Sequence, residues 1–194
     1  MAVNFQNFPR PRFTLEEYFA LERGSEARYE YWDGEIVCMS GGSLHRSFIS
    51  DNLHNRLSDL LKGRPCRAFS GGMPVKTPSF PPYRYPDASV VCGEIVTEKI
   101  NGIDVLVNPV LVVEVLSPGT EHLDKEPKRD AYQKLPSVME YLIVAQDAPH
   151  ITQYLRQGRR WVRKDFSDLS ARLALPSIRS EILIGDIYEG VTFD

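Results

Sequence analysis

Apolar and polar positions change period several times along the chain, and each change predicts an element. In "FTLEEYFALE", Thr14 precedes a short amphipathic run and Glu17 stands three residues on. That is the spacing of a capping box, so a short helix is expected to begin there. "RYEYWDGEIVCMS" switches to alternation, with Tyr29 and Tyr31 before Asp33-Gly34 and Ile36 and Cys38 after it, and predicts a β-hairpin. From Ser43 to about Leu61, Phe48, Ile49, Leu53, Leu57, Leu60 and Leu61 recur at helical spacing and Gly63 supplies a stop, which predicts a long helix. "CRAFSGGMPVKT" reads as two short strands around a Gly-Gly turn. "SFPPYRYPD" has too many prolines for a helix, and "ASVVC" reads as a strand.

"NPVLVVEVL" is apolar almost without interruption, the signature of a strand covered on both faces. The polar segment "SPGTEHLDKEPK" leads into a helical stretch "RDAYQKLPS", with Pro127 at an early-turn position and Pro136 at its end. "MEYLIVAQ" and "HITQYLRQG" read as a strand pair, and "RRWVRKDF" as a continuation of that meander. The C-terminal third is weakly patterned and predicts a closing strand with edge elements. Helix, hairpin, long helix, strands, helix and strands in that order predict one α/β domain over residues 1–194, with a central mixed β-sheet flanked by helices.

Composition narrows this picture. A chain of 194 residues, 42% hydrophobic and 25% charged, has the balance of a globular protein with a core of useful size. No segment approaches the roughly 20 apolar residues of a membrane span, and "MAVNFQNFPRPRF" lacks the apolar core of a signal peptide, so no membrane contact and a cytoplasmic location are expected. Cys38, Cys66 and Cys92 are widely separated and odd in number. They suggest neither a disulfide framework nor a zinc cluster, and are expected as buried thiols in strands. The net charge of -3 speaks against holding nucleic acid by overall charge, but leaves room for local patches. The densest positive run is "RQGRRWVRK", with Arg156, Arg159, Arg160, Arg163 and Lys164. It reads first as a solvated hairpin and is the best candidate for a phosphate-contacting patch. Tyr83, Arg84 and Tyr85 could contact nucleic acid, but aromatics ahead of a buried strand are more often packing residues. Neither a GxSxG elbow nor a GxxxxGK[ST] loop occurs, which leaves a serine hydrolase or an ATP-driven function without support.

Glu114 is the residue that does not fit its strand. Burying an unpaired carboxylate costs several kcal/mol, so the chain must supply either a basic partner or a bound cation. Asp87 stands at the start of the preceding strand. An Asp at the mouth of one strand and a Glu within its neighbour can converge on a hard cation, with the backbone carbonyl of Val115 as a further oxygen ligand. On spacing alone, a structural salt bridge is the commoner explanation.

The ordered set "YRYPDASVV", "VLVVEVLSPGT" and "DKEPKRDAYQKLPSVMEYLIV", preceded by "YEYWDGEIVCMSGGSLHRSFISDNLHNRL", resembles the Uma-type putative restriction endonuclease family of the PD-(D/E)XK nuclease superfamily, from about Phe13 to Tyr154. The resemblance implies a restriction-endonuclease-like fold and divalent-metal-dependent phosphodiester hydrolysis; the leading expectation is a DNA substrate with Mg²⁺ or Mn²⁺, while the residues themselves leave DNA and RNA both open. It puts Pro86-Asp87 and Glu114 in the positions of the superfamily's two metal-binding and catalytic acids. The superfamily usually has a lysine two residues after the second acid, where this chain has Leu116; Lys128 in the following helix matches the lysine that serves instead in the Uma-type family. His45, at the start of the long helix, and Glu35, in the hairpin, are accessory candidates, and Glu30 competes with Glu35. Cleavage of both strands would favour a two-fold homodimer. The alternative reading, motivated by Leu116 and the negative charge, is an inactive nuclease-fold module that binds nucleic acid or a protein partner.

Overall fold

The computed structural model describes residues 11–39, 42–78, 80–116 and 127–193. The chain divides into two compact units, Met1–Gly41 and Gly42–Asp194. Among the described residues no helix is long and apolar enough to cross a membrane.

The first unit is a helix and a hairpin. In α1 (Leu15–Gly24) the expected capping box is complete: Thr14 Oγ1 accepts from the Glu17 amide at 3.2 Å and Glu17 Oε2 accepts from the Thr14 amide at 2.7 Å. Strands β1 (Tyr29–Trp32) and β2 (Glu35–Cys38) pair antiparallel about Asp33 and Gly34, whose φ angles of 44° and 89° are the positive values by which a two-residue turn matches the right-handed twist of its strands. The Tyr18 hydroxyl donates to the Tyr29 carbonyl at 3.0 Å, tying helix to hairpin.

The second unit opens with α2 (Leu44–Leu60), capped by Ser43, whose hydroxyl accepts from the Arg46 amide. Its fully buried residues Ile49, Leu53 and Leu57 fall at four-residue spacing and form one stripe. A six-stranded sheet follows, built from β3 (Cys66–Ser70), β6 (Ala88–Cys92), β9 (Leu111–Val115), β10 (Glu140–Val144), β11 (Ile151–Gln157) and β12 (Arg160–Phe166). Their order is β12-β11-β10-β9-β6-β3; β9 and β10 run parallel and the other neighbours antiparallel. The mixed sheet and flanking helix agree with the expected class.

Strand β9 lies at the centre and every residue of it is buried. Leu111, Val113 and Val115 pack with the α2 stripe, Ala88, Val90, Leu142 and Val144 in one core cluster, whereas Val112 joins Val91, Tyr132, Tyr141 and Ile143 in a second. The unbroken apolar run is therefore two alternating sets, each with its own core. Glu114 alternates with Val113 and Val115, on the side of Val112.

A second sheet, in the order β5-β4-β8-β7, comprises β4 (Val75–Lys76), β5 (Tyr83–Arg84), β7 (Thr97–Ile100) and β8 (Ile103–Leu106). The two strands around the Gly-Gly turn form, but they part company: β3 pairs with β6, while β4 pairs with β5 and β8. The β7–β8 hairpin is absent from the hydropathy reading, and its one local signal is Asn101-Gly102, which takes up φ angles of 52° and 87°. Beyond β9, α3 (Arg129–Gln133) forms where expected, and the polar segment over 117–126 lies outside the described residues. Arg156 of β11 donates to the carbonyls of Gln133, Leu135 and Val138 at 2.7, 2.8 and 2.7 Å, holding the chain that leaves α3 against the sheet.

Two expectations are corrected. The C-terminal segment does not close the central sheet with a strand. Its β13 (Arg172–Leu175) and β14 (Ser180–Leu183) form a separate antiparallel ribbon, followed by α4 (Ile184–Ile187), and together they cover the α2 side of the core. Cys66 and Cys92 are not free thiols. The β3–β6 register sets them directly opposite each other and their sulfurs are bonded, while Cys38 lies outside that bond and is exposed, not buried as expected. Cross-strand pairing across 26 residues of sequence is invisible to spacing.

Candidate functional site

The site candidates of the second unit gather where β6 meets β9. Ala88 pairs with Val113, and continuing that antiparallel register by one step sets Asp87 opposite Glu114. Ladder pairing stops at Ala88, so the Asp87 carboxylate caps the strand end instead of joining it. Its Oδ2 accepts from the Val115 amide at 2.7 Å. Its Oδ1 accepts from Arg46 Nη2 at 2.7 Å and from the Ser50 hydroxyl at 3.4 Å. Arg46 and Ser50 are four residues apart on α2 and so share a face. Arg46 also reaches the strand itself, its Nε donating to the Val115 carbonyl at 3.4 Å. One guanidinium thus bridges Asp87 and the peptide oxygen of Val115.

Glu114 is held from the other direction. Its Oε2 lies 3.3 Å from Lys128 Nζ, and its Oε1 accepts from the Tyr132 hydroxyl at 3.1 Å. The Glu114 and Lys128 side chains are each 1% exposed, which makes this a buried ion pair. Lys128 immediately precedes α3 and Tyr132 is four residues on, so one helical turn addresses both carboxylate oxygens. Leu116, where a lysine would be usual, is instead packed in the second core cluster. Among the described residues, Lys128 is a basic group that reaches Glu114.

The donor set here is two carboxylates and one peptide carbonyl, all hard oxygens. Oxygen donors of this kind are what Mg²⁺ and Mn²⁺ prefer. Among the described residues no group of three or more His, Cys, Asp and Glu side chains is placed to hold a metal ion, so within that set the Val115 carbonyl is the further oxygen the two acids have beside them.

The accessory candidates fare differently. His45, the second residue of α2, is half-buried beside Arg46 in sequence. Glu35 and Glu30 belong to the first unit: Glu35 is exposed opposite Trp32, and Glu30 is buried and accepts from the Trp32 indole at 3.1 Å. Tyr83, Arg84 and Tyr85 are all buried, as packing residues should be. In the basic run, Arg156 serves the chain after α3 and stacks 4.5 Å from the Trp161 ring centroid, while Arg163 pairs with Asp165 at 2.9 Å. Arg159, Arg160 and Lys164 remain exposed.

Sequence reasoning missed Arg46, Ser50 and Tyr132. The signal for Tyr132 was its i+4 spacing from Lys128. Arg46 carried no comparable mark, because nothing local says which helical arginine faces a strand end 41 residues away. It also missed Gln146, buried at the end of β10, whose side chain accepts from the Ser43 hydroxyl and ties the start of α2 to the sheet.

Comparison with known proteins gives this arrangement a class. A solved structure described as a putative nuclease belonging to DUF820, from Anabaena variabilis, superposes with a TM-score of 0.66 at 21% identity, covering 93% of this chain and 99% of its own. At that identity the likeness speaks to fold, and the fold is restriction-endonuclease-like. The model of the Uma2 family, described as "Putative restriction endonuclease", matches residues 15–183, and the chain belongs to that family. An uncharacterized protein of Synechocystis is 31% identical over 194 residues, the full length of both chains. A second uncharacterized Synechocystis protein is 27% identical over 161 residues, 82% of this chain and 90% of its own.

Proposed function

We propose that the protein is a metal-dependent endonuclease that hydrolyses DNA phosphodiester bonds. The observation that carries this reading is the pair of acids at the β6–β9 junction, Asp87 on the Val115 amide and Glu114 next to it in β9, with the ammonium of Lys128 against Glu114. Asp87, Glu114 and the Val115 carbonyl would hold Mg²⁺ or Mn²⁺. Such an ion supplies charge neutralisation at the phosphorus centre and a water of lowered pKa. The chain's own groups do the rest. Lys128 and Tyr132 fix the orientation of Glu114, and the Val115 amide fixes that of Asp87. The Lys128 ammonium adds positive charge where the attacked phosphate becomes more negative. His45, at the start of α2, is the accessory candidate within the same unit. Cleavage of both strands would call for two copies of the chain.

The test is conversion of supercoiled plasmid to nicked and linear forms with Mg²⁺ or Mn²⁺. The native chain is expected to cut, and Asp87→Ala and Glu114→Ala to lose cutting by at least about a hundredfold, the scale of an essential charge-stabilising group. Cutting that survived both substitutions would sink the site.

A second reading has one observation in its favour. Both oxygens of each acid are already engaged by the protein's own donors, as in a module that binds nucleic acid or a partner protein without cutting. Calorimetry with no heat of Mg²⁺ or Mn²⁺ binding, together with retained DNA binding, would favour it.

A further inference from the structure

We infer that Arg46 is an exchangeable counter-cation: its guanidinium holds the Asp87–Val115 oxygens when no metal is bound and leaves them when a divalent ion arrives. The inference rests on the proposed metal site and deepens it. Its basis is that the two oxygens a metal would need from this side, Asp87 Oδ1 and the Val115 carbonyl, are the two that Arg46 contacts, at 2.7 and 3.4 Å. The Arg46 and Asp87 side chains are only 16% and 9% exposed, so water screens the pair weakly. A carboxylate in that setting needs a positive partner at all times, and Arg46 is one in this structure.

Simultaneous occupancy is disfavoured by distance. A divalent ion about 2.1 Å from Asp87 Oδ1 could be no more than about 4.8 Å from a guanidinium nitrogen 2.7 Å from that same oxygen. Two cations that close, in a half-buried setting, repel strongly. Arginine cannot relieve the repulsion by losing its proton, since its pKa exceeds 12, so it must move. Ser50 and the Val115 amide stay behind to hold the carboxylate in place. The displaced guanidinium remains tethered to the first turns of α2. It is a planar group of five donors, of the kind that pairs with a phosphate by two parallel hydrogen bonds. The exchange would therefore make the phosphate-binding donor available only when the ion is in place.

The experiment follows the native protein's Arg46 Nε–H resonance by ¹H–¹⁵N NMR during Mg²⁺ titration, with calorimetry on the same samples. Asp87→Asn serves as the control for ions bound elsewhere. The expected result is a Nε–H signal that is sharp without metal and shifts or exchanges rapidly with water as Mg²⁺ saturates. Arg46→Gln, checked for native folding by circular dichroism, is expected to bind Mg²⁺ roughly ten- to a hundredfold more tightly, the worth of one charge-assisted contact no longer competing. If Mg²⁺ binds through Asp87 while the Arg46 signal stays unchanged and Arg46→Gln binds no more tightly, the exchange is overturned and the metal site stands. If neither the native protein nor Arg46→Gln binds Mg²⁺, the metal site itself falls, and the exchange with it.

Discussion

Lys128→Met removes the ammonium from the buried pair with Glu114 while keeping most of the volume of the lysine stem. Both side chains are 1% exposed and the ion contact is 3.3 Å, so the carboxylate left behind keeps the Tyr132 hydroxyl but loses this cation in a place shielded from bulk water. Breaking a buried pair from one side costs about 3–5 kcal/mol. In a chain of this size each kcal/mol lowers the melting temperature by about 2–4 °C, so a fall of roughly 6–20 °C is expected. The companion variant Glu114→Gln/Lys128→Met removes both charges and is expected to recover most of the loss, because replacing a whole buried pair is close to neutral. Thermal unfolding followed by circular dichroism in EDTA, on the native chain, both single variants and the double, closes the cycle. A Lys128→Met melting point within about 2 °C of native would refute the reasoning. So would a double variant that loses as much as the two singles together.

Two further outcomes concern groups away from the site. Glu140 is buried under β13 and β14, where it accepts from Gln153 Nε2 at 2.6 Å and from the Ser177 hydroxyl at 2.7 Å. Burial raises its carboxyl above the ordinary value of 4.5, with the Ser177 and Gln153 hydrogen bonds pulling the other way. A raised folded-state pKa means that the folded chain holds the proton more tightly than the unfolded one. Its contribution is therefore fully present below the ordinary carboxylate range and is lost as pH rises through the folded value. Glu140→Gln has no proton to lose, so its melting temperature relative to native should climb between pH 4 and pH 7; a constant or falling difference would contradict this. The Cys66–Cys92 bond closes a loop of sequence separation 26, worth roughly 3.5 kcal/mol on the chain-entropy estimate. Guanidinium unfolding with and without dithiothreitol should differ by about that amount, and thiol labelling of the unreduced native protein should find only Cys38.

What was legible in the sequence was local in origin. The Thr14–Glu17 box, the Asp33-Gly34 turn and the α2 stripe depend on residues a few positions apart, and each formed as its spacing indicates. The central position of β9 was legible too, because so continuous a run of apolar, mostly β-branched residues suits a strand covered on both faces. That Glu114 needed a partner followed from the cost of burying its charge. Which partner it took did not follow, since a lysine 14 residues on competes in sequence with every other base.

The rest waited on the tertiary structure. Strand pairing decided that Asp87 arrives at the end of β9, on the Val115 amide, and that Cys66 meets Cys92, and pairing partners far apart in sequence leave no periodic trace. The docking of α2 turned Arg46, one charged residue among many, into the cation that bridges Asp87 and Val115. Charge and hydrogen bonding act over a few ångströms whatever the separation along the chain. A sequence can therefore mark a buried acid as costly, but only the fold can say which groups stand close enough to neutralise it.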